Sequence, residues 1–253
     1  MSEDARDPAG GERPERIAKL LAHAGLCSRR DAERWIAEGR VSVDGHVVTT
    51  PAVTVTAAND IRVDGEPLPS PQPARLWRYH KPAGLVTTHR DEKGRPTVFD
   101  ALPKDLPRLI SIGRLDLNSE GLLLLTNDGG LARRLELPST GWLRRYKVRV
   151  HGEVEPQRLS SLEKGVTIEG VSYGPIRANL ERRQGSNAWI ALALREGKNR
   201  EVRRVLEHLG LQVTRLIRLS YGPFQLGKLP RGAVAEVPKK VLAEQLGHAD
   251  RRR

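Results

Sequence analysis

The chain has 253 residues, 43 Lys and Arg against 31 Asp and Glu, and 38% apolar side chains, which gives a formal net charge of +12. That length allows one sizeable core with a small satellite domain, and the charge selects polyanions, nucleic acid first, as partners. No apolar run reaches the roughly 18 residues of a membrane span and no apolar signal segment follows Met1, so neither a membrane protein nor Sec-type export is expected. The lone Cys27 rules out an internal disulfide framework and fits a reducing cytoplasm. His23 and Cys27 stand four apart without a second pair, so no metal is expected.

Residues 1–13, rich in Ala, Gly, Pro and charge, read as a disordered tail. A helix is expected from Pro14-Glu15, with Ile17, Leu20, Leu21 and Ala24 on its inner face and Gly25 as its stop. Ser28, with Asp31 three residues on, caps a second helix whose stripe is Ala32, Trp35 and Ile36, ending at Gly39. Val41-Ser42-Val43 and His46-Val47-Val48 flank an Asp44-Gly45 hairpin turn. Thr54-Val55-Thr56 and Ile61-Arg62-Val63 read as a further strand pair around Asn59-Asp60.

Up to residue 75 there are ten Lys and Arg against twelve Asp and Glu, so all the net positive charge lies beyond it. Within this acidic sum, Arg16, Lys19, Arg29, Arg30, Arg34 and Arg40 are concentrated on and between the two helices. The run from Arg16 to Glu33, continuing through Gly39-Arg40-Val41-Ser42-Val43-Asp44-Gly45, resembles an S4 RNA-binding domain. The resemblance implies that the helix pair presents Arg16, Lys19, Arg29 and Arg30 to RNA.

Four prolines between Pro67 and Pro73 form an extended, semi-rigid linker. A second domain opens with a strand at Leu76-Trp77-Arg78-Tyr79-His80, stopped by Lys81-Pro82-Ala83-Gly84 and resumed at Leu85-Val86-Thr87-Thr88. Lys81 beside this turn reads equally as a phosphate or base-edge contact and as a plain surface turn. Asp91 to Pro96 is a polar loop, Val98, Phe99 and Leu102 pack a helical turn, and Leu109 to Ile112 is a strand.

That strand leads into Gly113-Arg114-Leu115-Asp116, followed by Gly121-Leu122-Leu123-Leu124-Leu125-Thr126, a buried strand, and by Asn127-Asp128-Gly129-Gly130, a turn. On the residues alone, Asp116 beside Arg114 reads most simply as a local cap or bridge, Glu120 as part of a solvated face and Asp128 as a turn cap. A short helix at Leu131 to Leu135 ends before Pro138. In Arg144-Arg145-Tyr146-Lys147-Val148-Arg149-Val150 the apolar and basic residues alternate, as in a half-buried strand, and a Tyr in this pattern is ordinarily core.

Leu159 and Leu162 mark a short helix. Val166 to Glu169 and Ile176 to Leu180 are strands, and Glu181 to Asn187 is a connecting turn. After the strand Trp189 to Leu194, the turn Glu196-Gly197-Lys198-Asn199 hands over to a helix with Val202, Val205, Leu206 and Leu209 inward. The basic first turn of that helix opposes its dipole and suits phosphate. A strand of Val213, Leu216, Ile217 and Leu219 follows, then Tyr221 to Leu229, an apolar segment at Ala233 to Val237, a terminal helix at Val241 to Leu246 and a loose end from Asp250.

No phosphate-binding Gly-Lys-Ser/Thr loop, Rossmann glycine fingerprint, zinc-deaminase pairing or acidic metal cluster is present. Cofactor-free action on a nucleic acid is what remains for an enzyme. Gly113-Arg114-Leu115-Asp116, the stretch from Gly121 to Gly129, Arg145-Tyr146-Lys147-Val148 and Glu196 to Arg204, in this order, are together similar to the ribosomal RNA pseudouridine synthases of the single-site small-subunit and large-subunit type. The likeness covers residues 76–238, and an amino-terminal S4 domain is that family's usual companion.

The resemblance implies an α+β fold with a mixed, mostly antiparallel catalytic sheet and a small α/β S4-like domain. It divides the chain into a tail (1–13), the S4-like domain (14–66), the linker (67–75), the catalytic domain (76–240) and a carboxy-terminal tail (241–253). It makes Asp116 the catalytic carboxylate, Tyr146 the aromatic residue against the target base and Arg203 the cationic partner of Asp116. Lys81, Arg114, Lys198 and Arg200 take RNA-contacting places at or around the pocket, with no cofactor and no metal.

The implied substrate is ribosomal RNA or a pre-ribosomal particle, met in the cytoplasm by a monomer. The segments Tyr221 to Leu229 and Arg200 to Arg204 favour the large subunit's 23S RNA. A binding-only ribosome-assembly factor, or a synthase for another RNA, are the alternatives.

Overall fold

The computed structural model describes residues 14–56, 58–70 and 72–250, so the expected tail at 1–13 and the last three arginines lie outside the described residues. The chain divides into two compact units. One is built on residues up to Ala74, joined by Asp105–Leu109 and Asn127–Gly129, and the other takes the rest.

In the first unit the order is β1 (Glu15–Arg16), α1 (Ile17–His23), α2 (Arg29–Ala37), β2 (Val41–Val43), β3 (His46–Val48), β4 (Thr54–Val55), β5 (Ile61–Val63) and β6 (Glu66–Pro67). The helices meet over Ile17, Ala18, Leu21, Ala32 and Ile36, all buried, with Val41, Val55 and Ile61 beneath them. Ser28 and Asp31 form the expected reciprocal cap: Ser28 Oγ accepts from the Asp31 amide at 3.1 Å, and the Asp31 carboxylate accepts from the Ser28 amide at 3.3 Å. Asp44 and Gly45 both take positive φ, 51° and 81°, the two-residue turn that matches strand twist.

Two expectations in this unit are corrected. The segment at Glu15-Arg16 is a short strand paired with β4, so the first helix starts only at Ile17. The strands β4 and β5 do not pair with each other. A second positive-φ turn at Asp64-Gly65 gives β5 the partner β6 on one side, β2 pairs on the other, and β4 is left to β1.

The second unit contains β7 (Leu76–Lys81), β8 (Ile110–Ile112), β9 (Ser119–Thr126), α3 (Gly129–Glu136), β10 (Arg144–His151), α4 (Pro156–Ser161), β11 (Val166–Ile168), β12 (Val171–Tyr173), β13 (Ile176–Gln184), β14 (Asn187–Leu194), α5 (Glu201–His208), β15 (Gln212–Tyr221), β16 (Phe224–Gln225), β17 (Val234–Glu236) and α6 (Lys239–Asp250). The main sheet runs β13-β14-β10-β15-β9-β7-β17, with β16 on β15 and β8 on β9. Its pairings are antiparallel except β15 with β9, so the sheet is mixed and mostly antiparallel, as expected.

Every residue of β9 is buried, which is why its centre, Leu122 to Leu125, is an unbroken apolar run rather than an alternation. One core packs α4 and α5 on β10, β14 and β15; a second packs α3 and α6 on β7, β8 and β9.

Here too the structure revises local readings. Residues 85–88 are not a strand, only a single bridge from Val86 to Thr97. The polar residues 181–184 continue β13 instead of turning, because β13 is the sheet's edge and these positions are solvated. The turn expected over 127–130 is shorter, since α3 already begins at Gly129. At the carboxy end the terminal helix expected at Val241 to Leu246 forms and is longer: α6 runs from Lys239 to Asp250, and its Leu242 and Leu246 pack into the core.

Candidate active site

The parallel junction of β9 and β15 sets the site's centre. Gly121, with φ +102°, lies directly beside Arg218, and a Cβ there would come within 2.3 Å of the Arg218 carbonyl oxygen. Only glycine allows this approach. The loop from Gly113 to Asn118 enters β9 just before that junction and carries Asp116.

This loop is held by side chains arriving from several elements. Lys81, at the end of β7 and fully buried, donates to the carbonyl oxygens of Pro82 (3.0 Å), Asp116 (3.1 Å), Leu117 (3.3 Å) and Ser119 (2.9 Å). Thr87 Oγ1 donates to the Leu115 carbonyl and accepts from its amide. Glu136 accepts from the Gly113 amide at 2.6 Å, and Arg203 Nη2 donates to the Asn118 carbonyl at 3.0 Å. A carboxylate placed by this many fixed partners is pre-organised.

The Asp116 carboxylate is about one-third exposed and faces two guanidinium groups. Arg200 Nη1 and Arg203 Nε each lie 3.9 Å from Oδ2, close enough for an ion pair and too far for a hydrogen bond. Arg203 is 8% exposed, and its Nε makes no hydrogen bond. Burial, then the neighbouring Arg200 charge, pull the Arg203 guanidinium below its ordinary pKa, while Asp116 opposes them. Arg200 sits in the left-handed region, φ 51°, at the entry to α5, a conformation rare for a residue with a Cβ and concentrated at functional sites.

Asp116, Arg200 and Arg203 open onto a cavity of about 500 Å³, which Tyr146, Arg114 and Lys198 also line. Tyr146 is buried on β10, where a bulge after Arg145 sets it opposite Arg218. Lys198 is committed to local partners: Nζ donates to Glu196 Oε2 at 2.8 Å and to the Ser172 carbonyl at 2.6 Å, and Glu196 raises its pKa.

Six of the seven pocket expectations therefore meet in one cavity. Lys81 does not. It is a buried tether beneath the Asp116 loop, its ammonium spent on four carbonyls, and the RNA contact expected of it is withdrawn. Burial pushes its pKa down to about 8, against the opposing pull of Asp116 and Glu120.

Glu120 is also not on a solvated face. It is 6% exposed, accepts from Arg215 Nε and Nη2 at 2.9 and 3.0 Å and pairs with Arg231 at 3.3 Å, so its pKa is lowered, chiefly by the Arg215 hydrogen bonds.

In the first unit Arg16, Lys19, Arg29 and Arg30 are all exposed. Lys19 pairs with Glu15 at 2.8 Å and Arg29 with Glu33 at 3.6 Å, while Arg16 and Arg30 have no ion pair among the described residues. Arg34 and Arg40 are committed to Asp31, Glu38 and Asp64.

Sequence reading missed two arginines of the cavity. Arg144 donates to the Arg195 and Glu196 carbonyls and to the Tyr221 hydroxyl, fixing the turn before Lys198. Arg218, 3% exposed, lines the floor. The signal for Arg218 was its period-two spacing with the buried Leu216 and Ser220 in one strand. Among the described residues no group of three or more His, Cys, Asp or Glu is arranged to hold a metal, and no helix is long and apolar enough to cross a membrane.

A helix-pair unit with exposed arginines joined in one chain to a mixed-sheet unit with an Asp-Arg-Tyr cavity fits the class of enzymes that act on a polyanion. Residues 75–208 match the RNA pseudouridylate synthase family and residues 15–61 match the S4 domain. The chain is 52% identical to an RNA pseudouridine synthase of Rickettsia bellii over 90% of its own length and 98% of the relative's. It is 46% identical to ribosomal large subunit pseudouridine synthase B of Salmonella typhi, covering 88% of this chain and 79% of that one. A crystal structure of a pseudouridylate synthase, 26% identical, superposes with a TM-score of 0.63 over 90% of this chain and 98% of that chain. The chain belongs to the RNA pseudouridylate synthase family and is an RNA-binding isomerase.

Proposed function

We propose that this enzyme converts a specific uridine of large-subunit ribosomal RNA to pseudouridine in the cytoplasm, with Asp116 as the catalytic carboxylate. The observation that carries the proposal is the Asp116 carboxylate, one-third exposed in the cavity and facing Arg200 and Arg203. The similarity to relatives named for the large subunit supports large-subunit RNA as the substrate.

The reaction breaks the N1–C1′ bond of uridine, turns the freed base, joins C5 to C1′, removes the C5 proton and returns a proton to N1. Nothing is oxidised or reduced. Asp116 acts on the ribose, as a nucleophile at C1′ or in removing the C2′ proton, and either role needs its charge. Arg203 and Arg200 balance that charge. Tyr146 forms a wall against which the detached base is retained. The cavity lies in the size range of a small-ligand site, so the target uridine leaves its stack to enter, and this costs a few kcal/mol. Arg114 and Arg200, exposed at the cavity, take phosphates, as do Arg16, Arg29 and Arg30 on the S4 unit.

The test is tritium release from [5-³H]uridine-labelled large-subunit and small-subunit ribosomal RNA isolated from a strain lacking the gene. The parent protein releases tritium from large-subunit RNA, and a folded Asp116→Asn variant releases none while keeping RNA affinity. Normal release by Asp116→Asn overturns the catalytic assignment. Release only from small-subunit RNA overturns the substrate.

A further inference from the structure

Arg218 is a buried cation with most of its hydrogen-bonding capacity unspent. Its Nε donates to the Leu122 carbonyl at 2.7 Å, and it has no other hydrogen bond or ion pair among the described residues. Nη2 is buried with no partner. A guanidinium carries five N–H donors, and leaving buried donors unmade is costly enough that native structures rarely do so without a functional reason. None of the cavity's carboxylates pairs with Arg218: Asp116 faces Arg200 and Arg203, Glu136 accepts from the Gly113 amide, and Glu201 accepts from the Lys198 amide through Oε2, its Oε1 being buried without a partner.

The guanidinium is nonetheless rigidly placed. It lies 5.3 Å from the centroid of the Tyr221 ring, whose hydroxyl is fixed to the Leu135 carbonyl. Its backbone is clamped between Gly121 on one side and Tyr146, through the β10 bulge, on the other. A fixed, desolvated cation facing the cavity that Asp116 and Tyr146 line is built to receive an oxygen acceptor.

We infer that Arg218 is a further catalytic residue, donating hydrogen bonds to a carbonyl oxygen of the target pyrimidine and taking up the negative charge the base acquires when it leaves the ribose. Phosphates are met by the exposed Arg114 and Arg200 and the ribose by Asp116, which leaves the base for the buried end of the cavity. When N1–C1′ breaks, the bonding pair departs with the base and spreads onto its carbonyl oxygens. A guanidinium there stabilises the anion without gaining or losing a proton, and the charge vanishes again when C5 bonds to C1′ and N1 is protonated. This is electrostatic stabilisation of charge developing in the transition state.

The inference rests on the uridine-isomerising role proposed above, and the test separates the two. A fragment of large-subunit RNA bearing the uridine that the parent converts is prepared with uridine or 5-fluorouridine at that position. Single-turnover loss of that nucleoside is read by mass spectrometry of nuclease digests. Fluorine makes the departing base anion more stable by itself, so it lessens the need for Arg218.

Arg218→Gln is expected to slow the uridine reaction about 10²-fold, with RNA affinity unchanged and a loss on 5-fluorouridine smaller by about tenfold or more. Arg218→Lys, which keeps the charge, shows a smaller split in the same direction and serves if the Gln variant does not fold. Equal losses on the two RNAs, or no loss on either, overturn the inference while the parent's turnover still stands. A parent that converts no uridine overturns the functional reading and this one with it.

Discussion

Arg203 Nε points at Asp116 Oδ2 from 3.9 Å and has no hydrogen bond, while its Nη1 and Nη2 donate to the carbonyls of Val213 and Asn118. One buried guanidinium thus joins α5, β15 and the Asp116 loop while presenting its remaining edge to the carboxylate. Lysine cannot do this, because its one nitrogen cannot occupy the separate places of Nη1, Nη2 and Nε that reach Val213, Asn118 and Asp116. Arg203→Lys should lose about 1–3 kcal/mol of stability and slow single-turnover isomerisation by about tenfold or more. Arg200→Lys, half-exposed and without such bonds, should lose little stability. Urea titration of the two variants compares them directly, and an equal or larger stability loss for Arg200→Lys would contradict the division of labour.

Lys81 gives a pH signature. Its folded pKa is about 8 against an ordinary 10.5. Between these values the unfolded chain holds a proton that the folded chain has released, so unfolding takes up a proton, and Lys81's contribution to stability rises with pH across that window. Turnover moves the other way. A neutral amine has two N–H donors for the four carbonyls, the Asp116 loop loosens, and the rate should fall as pH passes about 8. Lys81→Met should remove both trends and leave the enzyme slow at every pH. A Met variant that retains the parent's alkaline fall in rate would assign that limb to another group.

Glu120 lies in the same stretch as Asp116 but serves the fold. Its lowered pKa means that the Arg215 and Arg231 pairing stabilises above the ordinary glutamate value of 4.5 and is lost as pH falls below it. Glu120→Gln should cost about 1.5–3 kcal/mol at neutral pH, and the difference from the parent should shrink in acid. Denaturant midpoints measured from pH 7 down to 3 check this. A Gln variant as stable as the parent at pH 7 would show that the arginines add nothing net.

Arg29 and Arg30 should act through affinity. Replacing both with Ala removes exposed cations from the start of α2, so RNA binding should weaken and the slope of log K against log salt should become shallower by about one for each phosphate no longer neutralised. The rate on saturating RNA should change little. Filter binding across a salt series decides it, and an unchanged slope would place the S4 unit's RNA-binding face elsewhere.

The sequence by itself determined whatever depends on a few neighbouring residues. The Ser28–Asp31 cap, the Asp44-Gly45 turn, the buried run of β9 and the alternation of β10 are each specified by side chains within a turn or a strand of one another. The ordered motifs around Asp116, Tyr146 and Arg203 likewise carried the family. Tertiary structure alone decided what each charge meets. The chain shows Lys81 beside a turn, Glu120 as part of a solvated face and Arg218 on the inward register of a strand, and none of the three reveals its partners. Their surroundings come from β7, β9 and β15, brought side by side by the antiparallel β7/β9 and parallel β9/β15 pairings. Whether a cation ends as a tether, a salt-bridge partner or an open donor is set by which distant carbonyls and carboxylates share its desolvated space, and local propensity contains no information about that.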